Sequence, residues 1–444
     1  MSGADAGGRA GEAVAAAGGV RAEGTVRRNV PAEASPSAEH PGARLVFTGL
    51  GVVAPTGVGA EEHWASVLAG RTGIGKITRC DAEAYPLRLA GQVPAFDLAA
   101  HVPPPLMPQT DWWTQLALAG AALALADARL EPAELPEYEM AVVTSSSSGG
   151  TAFGQREIHR LWSRGPGHVG AYQSIAWFYA ATTGQISIRH GMRGPCGVLA
   201  CEQAGGLDAL AQARRLAREG SRLVVTGGTD ASLCEYGVIA QLSTLPLARR
   251  DDVRRAYVPF DRAACGYLPG EGGAILLAER EDAARERGAD RPYGELLGYA
   301  SGFDPAPGSR RPPALHRVAR NALANARLEP SEIDVVFADA MGTPAADLAE
   351  AQAISALFGP YGVPVTAPKT LTGRLYGGGA ALDVATALLS LRDGVVPATT
   401  GPREIGPGCE IDLVTGSPRE LPLRTALVLA RGHGGFTSAV VLGR

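Results

Sequence analysis

Val198-Leu199-Ala200-Cys201-Glu202-Gln203-Ala204-Gly205-Gly206-Leu207-Asp208-Ala209-Leu210 is the stretch that decides the fold. An apolar strand end runs into a polar kink, then two glycines, then an amphipathic helix. A fold presents a reactive side chain in this way at a helix N-terminus, where unpaired N–H groups and the positive dipole end favour developing anions. Ser or Cys is expected at the tip of such an elbow. Here the tip falls on Gln203, with Cys201 two residues upstream.

Outward from the elbow, strands and helices alternate. Leu45-Val46-Phe47-Thr48-Gly49-Leu50-Gly51-Val52-Val53-Ala54-Pro55 is a buried strand closing in a Gly/Pro turn, and Ala60 to Ala69 carries helical spacing. Asp111 caps a long helix that runs to Ala128, with Trp112 and Trp113 near its start read as core or interface. Met140-Ala141-Val142-Val143-Thr144 is a core strand, followed by the small-residue loop Ser145 to Gly150. Arg222-Leu223-Val224-Val225-Thr226-Gly227-Gly228 is another buried strand. This alternation predicts an α/β fold with mostly buried sheets. Residues 1–44 hold almost no large apolar side chain and are expected to form a disordered extension.

The chain also repeats itself. Ala126-Asp127-Ala128-Arg129-Leu130-Glu131-Pro132 is echoed by Ala324-Asn325-Ala326-Arg327-Leu328-Glu329-Pro330. Each copy ends a helix, turns through Glu-Pro and feeds an apolar strand. A second echo follows in the same order: Gly206-Leu207-Asp208-Ala209-Leu210 against Ala381-Leu382-Asp383-Val384-Ala385, closing on Arg218-Glu219-Gly220 and Arg392-Asp393-Gly394. Two echoes in one order predict a duplicated protein, with halves at 45–292 and 293–444 packed around one centre.

Bulk properties exclude several classes. With 45% apolar and 19% charged residues, the 444-residue chain has the composition of a globular protein with a sizeable core. A net charge of −4 and the lack of a Lys/Arg block leave no electrostatic case for nucleic acid. The cysteines (Cys80, Cys196, Cys201, Cys234, Cys265, Cys409) show neither a C-x-x-C pair nor Cys/His metal spacing, so they read as reduced thiols and no metal is expected. No apolar run approaches the ~18 residues of a membrane helix, and the N-terminus lacks a signal-peptide pattern. A cytoplasmic protein without membrane contact is expected.

These residues carry a family resemblance. The landmarks, in order, are Thr48-Gly49-Leu50-Gly51, the elbow, Pro259-Phe260-Asp261-Arg262, and Gly266-Tyr267-Leu268-Pro269-Gly270-Glu271-Gly272. Lys369-Thr370-Leu371-Thr372-Gly373-Arg374 and the closing Gly434-Gly435-Phe436-Thr437-Ser438-Ala439 complete the set. From about Arg44 to the C-terminus the chain resembles a β-ketoacyl synthase. The resemblance implies a thiolase-like fold, two duplicated halves in a layered αβαβα arrangement.

A condensing ketosynthase needs a Cys nucleophile and two histidines, which stabilise the enolate and oxyanion formed as a malonyl unit loses carbon dioxide. Aligned on Gly206-Leu207-Asp208, the nucleophile position is Gln203. The histidine positions fall on Asp339, counted back from Pro344-Ala345-Ala346-Asp347, and on Arg374. With all three replaced, condensation on this chain is expected to be absent. Cys201 is read as a packed small hydrophobe, and Asp339 and Arg374 as a buried pair that satisfies itself. Lys369 is expected to hydrogen-bond the elbow. Gln203 is either a satisfied buried amide or, as the resemblance implies, an aid to malonyl decarboxylation.

Glu202-Gln203-Ala204-Gly205-Gly206-Leu207-Asp208, Ser174-Ile175-Ala176-Trp177-Phe178-Tyr179-Ala180 and Gly184-Gln185-Ile186-Ser187-Ile188-Arg189-His190 resemble one branch in particular. It is the chain length factor, or ketosynthase beta subunit, of bacterial aromatic type II polyketide synthases. The resemblance implies a heterodimer with a catalytic ketosynthase alpha subunit, and substrates carried on the phosphopantetheine of an acyl carrier protein. It also implies a tunnel at the heterodimer interface, lined here by Thr151, Gly154 and Ile158 at i, i+3 and i+7, and a gate loop at Gly435 and Phe436. Small side chains at the tunnel positions lean towards a long polyketide. The alternatives are a malonyl-carrier-protein decarboxylase or acyltransferase active in its own right, and a structural scaffold.

Overall fold

A computed structural model describes residues 43–289, 291–306 and 308–444. The extension expected over 1–44 lies outside the described residues up to residue 42. The first half runs β1 (Leu45–Ala54), α1 (Trp112–Asp127), β2 (Met140–Ser145), α2 (Thr151–Arg164) and α3 (Ala181–His190). It continues through β3 (Cys196–Leu199), α4 (Gly205–Arg218), β4 (Leu223–Asp230), α5 (Glu235–Thr244) and β5 (Gly272–Arg280). The second half runs β6 (Gly294–Phe303), α6 (Leu315–Ala326), β7 (Val335–Phe337) and α7 (Pro344–Phe358). It ends with β8 (Pro364–Thr366), α8 (Gly379–Asp393), β9 (Thr425–Arg431) and β10 (Phe436–Gly443).

Duplication is written into the strand order. Among the described residues the main sheet has 12 strands, ordered β1-β5-β4-β2-β3 on one side and β6-β10-β9-β7-β8 on the other, with two-residue strands added at Gly57–Val58 and Asp412–Leu413. In each series the first two pairings are antiparallel and the last two parallel. The series join where β1 meets β6 antiparallel, Val46 opposite Glu295 and Phe47 opposite Gly294.

Packing repeats as well. A Cβ on Gly49 would lie 2.3 Å from the Ala124 carbonyl of α1, and one on Gly298 would lie 2.3 Å from the Ala322 carbonyl of α6. Both strands carry a register shift near these glycines, and a helix side chain takes up backbone N–H there. Asp127 Oδ2 accepts from Leu50 N at 2.8 Å, and Asn325 Oδ1 accepts from Tyr299 N at 3.1 Å. Each of these helices then closes on an arginine in the left-handed region, Arg129 at φ 50° and Arg327 at φ 60°. The echo read at Ala126 and Ala324 thus has a structural counterpart.

The second echo needs a correction of one residue. Short 3₁₀ turns, Glu202–Ala204 and Tyr376–Gly378, lead into α4 and α8. The first residue of each has positive φ, Glu202 at 52° and Tyr376 at 50°. Backbone equivalence therefore pairs Glu202 with Tyr376, which sets Gly206 opposite Ala380 rather than Ala381. A one-residue offset turns a side chain by about 100° around a helix, so Asp208 and Asp383 serve different partners. Asp208 accepts from Tyr299 Oη at 2.7 Å, whereas Asp383 pairs with Lys369.

The layers follow from the apolar pattern. α4 and α8 lie between the two strand series, and α8 is buried at every position from Gly379 to Leu391. α1 and α3 cover the outer face of the first series, and α6 and α7 that of the second, completing the αβαβα order. His63 ties the turn after β1 to α8, its Nδ1 at 2.6 Å from Thr56 Oγ1 and its Nε2 at 3.0 Å from Thr386 Oγ1.

Burial pushes the His63 ring down from 6.5 to about 4. A depressed histidine contributes stability that is present above its unfolded value of 6.5 and lost as pH falls towards 4. At 1.36 kcal/mol per unit this amounts to about 3 kcal/mol. The urea midpoint of the parent chain minus that of His63→Gln should decrease from pH ~7 to pH ~4.5. A gap independent of pH would contradict the assignment.

Candidate functional site

β3 delivers the chain to the elbow, and the backbone inverts at Glu202 (φ 52°), one residue before the expected tip. Gln203 sits inside the following 3₁₀ turn, immediately ahead of α4. The glycines are needed because α4 starts in close contact with its neighbours. A Cβ on Gly205 would lie 2.3 Å from Ser145 Oγ, and one on Gly206 2.7 Å from Ala381 N. Cys201 packs against the central core. Burial and the neighbouring Asp208 carboxylate push its thiol up to about 12, so at neutral pH it is no thiolate nucleophile.

The Gln203 side chain is fully buried and lies flat on Gly379, where a Cβ would come within 2.4 Å of its Nε2. Among the described residues neither amide atom has a hydrogen-bond partner. Beside it is a cavity of about 10 Å³ lined also by His63, Lys369, Asp383 and Thr386. Lys369 Nζ lies 2.7 Å from Asp383 Oδ2 rather than turning to the elbow as expected. A carboxylate on α8 attracts a buried ammonium more strongly than a neutral amide does.

Asp339 and Arg374 come together. Both are buried, with Arg374 Nη2 donating to Asp339 Oδ1 at 3.0 Å and Nη1 to the Asp339 carbonyl at 2.8 Å. Arg431 extends the cluster, its Nε donating to Asp339 Oδ2 at 3.1 Å and its Nη2 to Glu350 Oε2 at 2.9 Å. Glu350 in turn accepts from the N–H groups of Asp339 and Ala340 at 2.7 and 2.9 Å, which holds Ala340 in the left-handed region at φ 53°. Burial alone would raise the Asp339 carboxyl, but the two guanidinium groups outweigh it and hold it below the usual carboxylate range. Arg374 stays charged for the same reason, and its guanidinium stacks 5.2 Å from the Tyr267 ring. Among the described residues the terminal nitrogens of Arg374 are taken up by Asp339 and the Arg431 carbonyl, while its Nε has no hydrogen-bond partner.

Thr151, Gly154 and Ile158 lie on α2 and line one cavity of about 600 Å³. Its other walls come from Gln173 and Trp177 and from Tyr236, Gly237, Ala240 and Gln241 of α5. Gln155 braces the two helices: its Nε2 donates to Glu235 Oε2 at 2.5 Å, and its Oε1 accepts from Tyr236 N at 2.8 Å. Sequence reasoning missed α5. Its signal was the small or polar set Gly237, Ala240, Gln241, Thr244 at i, i+3, i+4 and i+7, set beside Tyr236, Val238, Ile239 and Leu242. Around this cavity large apolar side chains are exposed, among them Ile158 (53%), Trp177 (49%) and Tyr236 (63%). β3 ends the sheet among the described residues, and Ser146 at the start of the loop into α2 donates to the Leu199 carbonyl at the end of β3.

Gly435 lies in the 3₁₀ turn His433–Gly435, and Phe436 opens β10 with its ring 4.6 Å from that of Phe303. Glu202 reaches this turn, Oε2 accepting from His433 N at 2.9 Å. A second cavity of about 230 Å³ lies here, lined by Ser147, Glu202, Thr244, Leu245, Tyr376 and His433, with Ser148, Ser232, Ala240 and Gln241 shared with the first. Trp113 is core, whereas Trp112 donates from Nε1 to Glu271 at 3.2 Å beneath the Arg79 guanidinium. Among the described residues no group of three His, Cys, Asp or Glu is placed to hold a metal ion, and no helix is long and apolar enough to cross a membrane.

Removing one partner of the buried ion cluster strands the others. Arg374→Met should cost about 3–5 kcal/mol, read as a lowered urea midpoint. Adding Asp339→Asn to it should cost less than the two single changes summed. Strict additivity would show that the two side chains act independently.

Residues 43–283 match the beta-ketoacyl synthase N-terminal domain and residues 293–402 the beta-ketoacyl synthase C-terminal domain. The tetracenomycin polyketide synthase ketoacyl synthase beta subunit of Streptomyces glaucescens is 58% identical over 403 residues, spanning 90% of this chain and 98% of that protein. Among solved structures, the ishigamide ketosynthase/chain length factor gives a TM-score of 0.81 at 29% identity, covering 91% of this chain and 99% of the matched one. A type II polyketide synthase acyl carrier protein in complex with its ketosynthase bound to the hexaketide gives 0.80 at 25% identity, over 90% and 99%. On its sequence, its duplicated topology and its elbow, the chain belongs to the beta-ketoacyl synthase family.

Proposed function

We propose that the chain is the non-condensing beta subunit of a heterodimeric type II polyketide ketosynthase, setting the length of a poly-β-ketone built by its catalytic alpha partner. The observation that carries this is a pairing of opposites. A 600 Å³ cavity opens among exposed apolar side chains, on a chain whose own elbow ends in an amide. An amide cannot be acylated to a useful thioester-like intermediate, so the growing chain must be held on another subunit. The exposed ring of Trp177, Ile158 and Tyr236 is the kind of surface that a partner subunit covers.

The reaction then divides between subunits. The alpha subunit carries the nucleophile and takes malonyl units from the phosphopantetheine of an acyl carrier protein in the cytoplasm. This chain supplies walls: Thr151, Gly154 and Ile158 give room where bulky side chains would stop the product. The Asp339–Arg374–Arg431–Glu350 cluster keeps the elbow and its surroundings rigid without serving as acid or base. The halves are assigned to 45–292 and 293–444, joined at the β1–β6 seam. The gate role of Gly435 and Phe436 is supported by the turn that holds Gly435 and leads into Phe436; the first residue of that turn, His433, lines the 230 Å³ cavity.

One observation favours a second reading, independent decarboxylation: the Gln203 amide, without a partner among the described residues, can donate to a carboxylate. Size weighs against it. A cavity of about 10 Å³ has room for a single water and not for a malonyl thioester.

Gly154→Phe, in the chain reconstituted with its alpha subunit and malonyl-carrier protein, should shorten the products by one or more two-carbon units, as read by mass spectrometry. Unchanged length at undiminished turnover would sink the length-setting reading. The isolated chain, given labelled malonyl-carrier protein, should neither become acylated at Cys201 nor release carbon dioxide. Release that Gln203→Ala abolishes would favour the decarboxylase.

A further inference from the structure

The two cavities are separated by very little. They share four lining residues, Ser148, Ser232, Ala240 and Gln241, and of these Gln241 has the only side chain long enough to close the passage. It is clamped at both ends of its amide. Nε2 donates to the Ser232 carbonyl at 3.2 Å, and Oε1 accepts from Tyr376 Oη at 2.6 Å. The side chain is 7% exposed, and Tyr376 is itself buried, edge-on to Tyr267 at 6.4 Å. Tyr376 sits at the left-handed turn that starts α8, so the clamp is anchored in the centre of the fold.

We propose that Gln241 is the end wall of the length-setting cavity. It divides the 600 Å³ space beside Thr151, Gly154 and Ile158 from the 230 Å³ space beside Glu202, Tyr376 and His433. The inference rests on the length-setting reading above. Three features make Gln241 a wall rather than a passing contact. Two hydrogen bonds hold its rotamer, so it does not swing aside as a free surface glutamine would. Its neighbours at the passage are Ser, Ser and Ala, which leave an opening once its bulk is gone. The space behind it is already formed, so a longer product needs no rearrangement of the backbone. Chain length is on this account limited twice, by the girth of the cavity at α2 and by its depth at Gln241.

The test uses the reconstituted heterodimer, its carrier protein and malonyl units, with product length read by mass spectrometry and assembly by size exclusion. Gln241→Ala should lengthen the products by one or more two-carbon units. Gln241→Met, unbranched and of similar bulk but without the two clamping hydrogen bonds, should lengthen the products less than Gln241→Ala does. Gln241→Ser, which also opens the passage, serves if the alanine variant fails to assemble. Parental length from both small variants, in a pair that Gly154→Phe still shortens, overturns the wall and leaves the length-setting reading intact. Lengthening by Gln241→Met as much as by Gln241→Ala overturns the steric account. Indifference to Gly154→Phe and Gln241→Ala alike removes the length-setting reading itself.

Discussion

Everything at the centre of this molecule depends on the close crossing of α4 and α8. Gly206 lies so near α8 that a Cβ would sit 2.7 Å from Ala381 N, and Gly379 lies directly under the Gln203 amide. Two buried helices can approach this closely only where one of them lacks side chains. The crossing fixes where both helices begin, and hence where the elbow turns. The elbow therefore persists through packing, whatever residue occupies its tip. This separates geometry from chemistry: the nucleophile can be lost while the scaffold that presented it remains.

Electrostatics shapes the neighbouring region. Four buried ionisable side chains, Asp339, Arg374, Arg431 and Glu350, neutralise one another in a cluster with 2.9–3.1 Å contacts. Such a cluster is a poor source of net stability but is strongly destabilised when one member is removed. It also satisfies the N–H groups of Asp339 and Ala340, so the strained backbone at Ala340 depends on it. A cluster built this way holds the shape of its surroundings. The consequence is felt at a distance from it, on α2 and α5, where the fold leaves space open.

Much of this was legible in the sequence, and the parts that were not share a cause. The repeat at Ala126 and Ala324 could be read because it involves one local pattern, a helix end, an arginine and Glu-Pro, and each copy packs on an equivalent glycine. Asp339 and Arg374 could be picked out as a pair because glycines and prolines flank them at fixed spacing, and the structure joins them at 3.0 Å. The inversion at Glu202 was not legible, since no glycine marks that positive φ. The partner of Lys369 was hidden by the one-residue offset between the Leu-Asp echoes, which only the helix starts resolve. Gln241 and Arg431 were missed because their roles come from what meets them across the fold: Tyr376 and Ser232 for one, Asp339 and Glu350 for the other.

The central claim is that this chain shapes a polyketide without ever carrying it covalently. It is tested most directly by intact-mass analysis of this subunit, isolated from a heterodimer turning over malonyl-carrier protein, with a photoreactive phenylalanine analogue in place of Ile158. The account predicts no acyl group on the subunit in the dark. After illumination it predicts adducts only of polyketides long enough to reach α2. An acyl adduct in the dark, on Cys201 or any other residue of this chain, would contradict it.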